Sequence, residues 1–143
     1  MKNKTKFDVV MPLIDEAFDR GKAFSFKPNG ISMLPFIVGG QTEVTIKKYT
    51  GGAKRFDVIF FRRDDGKYVM HRIIKLFSDS FGVCGDNQWW VEKVRDEQIF
   101  AIVTHVQGRK LPGGFFYLHT LPLRRFIIHV KTYIKKHFGG KRK

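Results

Sequence analysis

The chain has 143 residues, 43% of them hydrophobic, with 15 Phe; this is enough apolar side chain for one self-supporting domain and too much for a disordered tail. A single cysteine, Cys84, excludes an internal disulfide and a thiolate zinc cluster. The net charge of +14 is unevenly spread: ten of the 27 Lys/Arg follow Thr104, where no Asp or Glu occurs, so the end of the chain favours phosphate-bearing partners, anionic lipid or nucleic acid.

Met1 to Lys6 is basic and is followed by Phe7, Val10, Met11, Ile14, Ala17 and Phe18 at helical spacing. This predicts an amphipathic helix that starts near Pro12 and stops at Gly21. Asp8 and Asp15 interrupt any secretory core, no small-residue cleavage site follows, and no run of 18 apolar residues occurs. The chain is therefore expected to remain on the cytoplasmic side, with no transmembrane segment.

Ala23 to Lys27 alternates, with Phe24 and Phe26 on one face, and predicts a strand before the Pro28-Asn29-Gly30 turn. Met33 to Val38 carries Pro35 and ends at Gly39-Gly40. Further strands are predicted at 43–46, 57–61, 67–76, 81–84 and 99–107, with Asp64-Asp65-Gly66 as a hairpin turn. Short strands between Gly-rich turns point to a mainly β, α+β domain, a small coiled β-sheet or barrel. The expected organisation is residues 1–110 as this domain with its N-terminal helix, then residues 111–143 as a basic helical tail.

In the tail, Leu111-Pro112-Gly113-Gly114 is a break. Leu123, Phe126, Ile127, Val130, Ile134 and Phe138 then recur at helical spacing, with Arg124, Arg125, Lys131, Lys135 and Lys136 towards the other side. Pro122 suits a position near the helix start and Gly139-Gly140 its end. The apolar face fits either the β body or a lipid surface. The basic residues are the expected contacts to an anionic membrane, with nucleic acid the lesser expectation.

Three segments carry candidate chemistry: Gly30-Ile31-Ser32-Met33-Leu34-Pro35, Val69-Met70-His71-Arg72-Ile73-Ile74 and Gly85-Asp86-Asn87. A serine hydroxyl is a poor nucleophile until a base takes its proton, and histidine does so near neutral pH. Ser32 is the candidate nucleophile and His71 the candidate base. Gly30, Met33 and Pro35 are the expected lining of the oxyanion and substrate site, since a glycine beside the nucleophile lets backbone N–H groups approach a carbonyl. Asp86 and Glu92 both follow the Cys84 strand, and either could orient His71. His105, His119, His129 and His137 show no metal-ligand spacing, so neither a metal nor a cofactor is expected.

In order and spacing, these segments, together with Phe56-Asp57-Val58-Ile59-Phe60-Phe61, resemble the motifs of the type I signal peptidase family, in the superfamily that also holds the LexA-type self-cleaving repressors. The likeness spans residues 23 to 107. It implies a coiled sheet or barrel of that type and a serine endopeptidase with Ser32 as nucleophile. With histidine rather than lysine before Arg72, it resembles the endoplasmic-reticulum and archaeal branch, which implies His71 as general base. That branch adds an acidic residue at the place of Glu92, here within Trp90-Val91-Glu92-Lys93. The resemblance leaves Asp86 and Glu92 both open as the third member.

Signal peptidases carry a membrane span before the serine, which this segment is not. Peripheral docking on the inner face of the membrane, with a leader or precursor peptide as substrate, is the expectation that follows. The alternative is a catalytically inactive relative that binds membrane or nucleic acid. A self-cleaving regulator fits less well, because the region before Ser32 is too short for a helix-turn-helix domain and position 71 is not lysine.

Overall fold

The computed structural model describes residues 6–111 and 114–139, with side chains placed for 7–111 and 122–139. The basic start at 1–5, the Pro112-Gly113 break, the His119 side chain and Gly140 lie outside the described residues.

A helix, α1 (Lys6–Asp19), precedes eight strands: β1 (Phe24–Phe26), β2 (Val44–Lys48), β3 (Val58–Arg62), β4 (Tyr68–Leu76), β5 (Ser80–Cys84), β6 (Glu92–Arg95), β7 (Ile99–Val106) and β8 (Arg109–Lys110). A 3-10 turn spans Asp96–Gln98, and a second helix, α2 (Gly114–Phe138), ends the described chain. The strands form one antiparallel sheet in the order β1-β2-β7-β3-β4-β5-β6, with β8 pairing β7 beyond the stretch that β3 covers. The sheet is open, with β1 and β6 at its rims, so of the two forms expected, coiled sheet or barrel, the barrel is not found; the α+β class with a helix at each end is.

The period of two along β3 builds the core. Val58 and Phe60 join the cluster under α1, whereas Ile59 and Phe61 join a second cluster on the opposite face with Ile73, Val83 and Val94. All four are buried, as expected of a central strand covered on both sides. Helix α1 runs from Lys6, earlier than the Pro12 start expected from sequence, and holds Pro12 inside it. Proline forfeits one i→i−4 bond there. The packed face of α1 offsets that loss: Ile14 and Phe18 are buried, and the Phe7 ring lies 4.7 Å from Phe60 and 5.3 Å from Tyr68.

Helix α2 also begins earlier than the Pro122 start, at Gly114, with Pro122 inside it. Its orientation differs from the simplest amphipathic expectation. Among its described side chains only Arg124 is buried and Ile128 half-buried, whereas Leu123, Phe126, Ile127, Val130, Ile134 and Phe138 are exposed. The side that meets the body is thus the Arg124–Ile128 side, with Ile127 at its edge, and the rest of the apolar stripe is exposed away from that contact. Among the described residues, no helix is long and apolar enough to cross a membrane.

Candidate active site

Ser32 sits in a loop between β1 and β2 that folds back on itself. Gly30 takes φ +102°, a left-handed value that glycine adopts without cost, and the Gly40 N–H donates to the Pro28 carbonyl at 2.8 Å. A tight turn follows, with the Leu34 N–H donating to the Ile31 carbonyl (3.2 Å) and the Ile37 N–H to that of Met33 (3.0 Å). The loop after β5 clamps the serine from the other side. The Asn87 N–H donates to the Ser32 carbonyl at 2.8 Å, and Asn87 Nδ2 donates to that of Ile31 at 3.1 Å. Gly85 packs so closely that a Cβ there would stand 2.6 Å from the Ser32 carbonyl oxygen.

His71 lies on β4, opposite Ile59 of β3, and is buried. Ser32 and His71 line one cavity of about 230 Å³ with Gly30, Met33, Arg63 and Gln88. Among the described residues no hydrogen bond joins the Ser32 hydroxyl to His71, and the Ser32 and Met33 amides donate to no acceptor. Serine–base hydrogen bonds are often long until substrate arrives. Pro35, grouped with this lining from the sequence, instead lines a separate cavity beside α2 with Arg124 and Ile127.

Strand alternation separates the two candidate acids. His71 and Ile73 share a face of β4; Ile73 pairs with Val83, which pairs with Glu92 on β6. Glu92 therefore arrives on the His71 side, with Oε1 3.0 Å from His71 Nδ1, at an angle short of a hydrogen bond. Its carboxylate is held by Arg63, whose Nε and Nη2 donate to Oε2 and Oε1 at 2.9 and 2.7 Å. Arg72 projects to the other face, where its Nε and Nη2 donate to the two Asp86 oxygens at 2.9 Å each, and its Nη1 to the Phe56 carbonyl at 3.0 Å. Asp86 is buried and gripped by Arg72, and among the described residues no hydrogen bond or ion pair joins it to His71.

Arg124 corrects a second expectation. It does not lie on the basic surface of α2; it is buried, with Nη1 3.2 Å from the Asp86 carbonyl and 3.6 Å from its Oδ1. Arg125, Lys131, Lys135 and Lys136 are exposed as expected.

Burial pushes the His71 pKa below the ordinary histidine value, and the Arg63 guanidinium pushes the same way, with Glu92 opposing both. His71 is thus a neutral imidazole near neutral pH, the form that accepts a proton. Burial pushes the Cys84 thiol up to about 11, and its Sγ lies 3.3 Å from the carbonyls of Gly85 and Gln88, as fits an unreactive packing residue. The sequence did not mark Arg63 or Gln88, whose Oε1 is buried at the Ser32 cavity without a hydrogen-bond partner. Among the described residues no His/Cys/Asp/Glu cluster could hold a metal ion. No family model matches the sequence, and no curated protein matches it either.

Proposed function

We propose that this protein is a serine endopeptidase of the signal-peptidase type, with Ser32 as nucleophile and His71 as general base. The observation that carries the proposal is the single cavity lined by a serine on a clamped turn and a buried imidazole beside a fixed carboxylate. The coiled-sheet fold of the LexA and signal peptidase superfamily is part of the proposal, supported by the strand order and by the four sequence segments falling on β3, β4 and the two loops at the cavity.

In this reading His71 takes the Ser32 hydroxyl proton as Oγ attacks the scissile carbonyl. The oxygen that gains charge is met by the unengaged Ser32 amide. The imidazolium formed is stabilised by Glu92, which Arg63 keeps in place. His71 then passes its proton to the leaving amine, and water, activated by the same imidazole, hydrolyses the acyl ester. The substrate is an extended segment of a peptide or precursor.

The test is labelling with a fluorophosphonate probe, read by mass spectrometry, together with cleavage of a peptide library. Labelling at Ser32 that is lost in His71→Ala, and cleavage reduced at least about 10³-fold in Ser32→Ala, are expected. An unlabelled Ser32 in a folded protein, or cleavage that survives both substitutions, rejects the assignment in favour of a non-catalytic binding module.

A further inference from the structure

The outward stripe of α2 is the largest feature that the proposed chemistry leaves unused. Leu123, Phe126, Ile127, Val130, Ile134 and Phe138 recur along one side of the helix, and each is exposed. A monomer in water rarely leaves so continuous an apolar row open. The helix meets the body through Arg124 against Asp86 and through Ile128, with Ile127 at the edge of the row lining a cavity shared with Leu34 and Pro35, so among the described residues most of the row is not in use inside the molecule.

The charges around the row select its partner. Lys131 and Lys135 lie along the edge of the row nearest the body, with Arg125 and Lys136 further round, all exposed, and the described part of α2 contains no acidic residue. A second copy of a chain with a net charge of +14 would bring like charge onto this helix. A duplex would satisfy the lysines and leave Phe and Ile in water. A bilayer with anionic headgroups satisfies both, because the rings and aliphatic groups enter the acyl boundary while lysines reach up to phosphate.

We infer that α2 docks the protein on an anionic lipid surface, lying in the interface plane with its 123–138 apolar row in the membrane and its Arg124–Ile128 side carrying the β body. This inference does not depend on the peptidase assignment: Ser32→Ala should bind membranes as the parent chain does.

The test is co-sedimentation of the full chain with vesicles of phosphatidylcholine alone or mixed with phosphatidylglycerol. Binding to the mixed vesicles is expected, with little to phosphatidylcholine alone and a decline as salt rises. Lys131→Gln and Lys135→Gln should each weaken it about fivefold. The double variant Phe126→Asp/Ile134→Asp should abolish it while thermal unfolding and circular dichroism stay at parent values, since both side chains are exposed. No pelleting with the mixed vesicles at low salt overturns the inference. So does vesicle binding unchanged by the double variant, or a dimer in sedimentation equilibrium that the double variant dissociates while vesicles fail to bind. Tight binding to duplex DNA that the double variant leaves intact, without vesicle binding, would assign the helix to nucleic acid instead.

Discussion

Glu92 Oε1 stands 3.0 Å from His71 Nδ1, reaching across the end of β5 from the rim strand β6, while Arg63 holds both oxygens of the same carboxylate. The three residues form a row in which each sets the electrostatics of the next. His71 feels a cation and an anion of opposite influence, and burial decides the outcome in favour of the neutral ring.

The pH profile of kcat/KM should follow that balance. With His71 as base, the acidic limb reports its protonation and should fall below the ordinary histidine value of about 6.5. Glu92→Gln removes a group that favours the imidazolium, so the limb should move to lower pH and the plateau should drop. Arg63→Gln removes a repelling cation, so the limb should move up. Steady-state cleavage from pH 4 to 9 checks both directions, and an Arg63→Gln profile whose acidic limb does not move would leave Arg63 without an electrostatic role at His71.

The same shift makes a stability prediction. A buried histidine whose folded pKa lies below its unfolded value binds fewer protons in the native state. Its contribution is complete above about pH 6.5 and is lost as pH falls from there through the folded value. Urea unfolding at a series of pH values should show this decline, and His71→Gln should flatten it over that window.

Asp86→Asn should be costly in a different way. It leaves the buried Arg72 and Arg124 guanidinium groups without their carboxylate. Breaking one side of a buried ion pair costs about 3–5 kcal/mol, read as a loss of unfolding free energy. Activity per folded molecule should fall as well, because the Asp86-Asn87 loop also holds the Ser32 backbone.

Gly85→Ala should act on the nucleophile without touching it. The new methyl would lie 2.6 Å from the Ser32 carbonyl oxygen and 2.7 Å from Gln88 Oε1, so the serine turn must move. A displacement of about 1 Å at a reacting group can cost about 10²-fold, seen as reduced kcat with less effect on KM.

Cys84 should resist alkylation in the native protein. With its thiol pushed up to about 11 in a buried site, iodoacetamide at pH 8 should label it only after denaturation, as mass spectrometry would read.

What could be read in advance follows the range of each signal. Period-two and period-3.6 patterns located most strands and the ends of α1 and α2 within a few residues but set both helix starts too late, at the two prolines, and the Asp64-Asp65-Gly66 turn brings β3 and β4 together as its glycine requires, with φ +87° at Gly66. Ser32 and His71 are legible as a pair, because a serine on a glycine turn and a histidine on a strand follow one another at a fitting separation. The choice between Asp86 and Glu92 was hidden because it depends on β6, whose four residues Glu92–Arg95 are mostly charged and carry no clear strand pattern. Arg63 and Gln88 were invisible for the same reason: their place comes from long-range register, not from neighbours in sequence. For α2, periodicity revealed an apolar side without telling which side meets the body, and one buried guanidinium, that of Arg124, decided it.

The Arg124–Asp86 contact has a mechanical corollary. It bolts the C-terminal helix to the same short loop whose next residue, Asn87, grips the serine turn, so load applied to that helix is delivered within a few bonds to Ser32. Cutting the chain ahead of the helix would thus do more than free the protein from whatever the helix holds. It would strip a counter-charge from Asp86, the neighbour of the residue that holds the Ser32 backbone, making the tail a brace for the Ser32 turn as well as a handle.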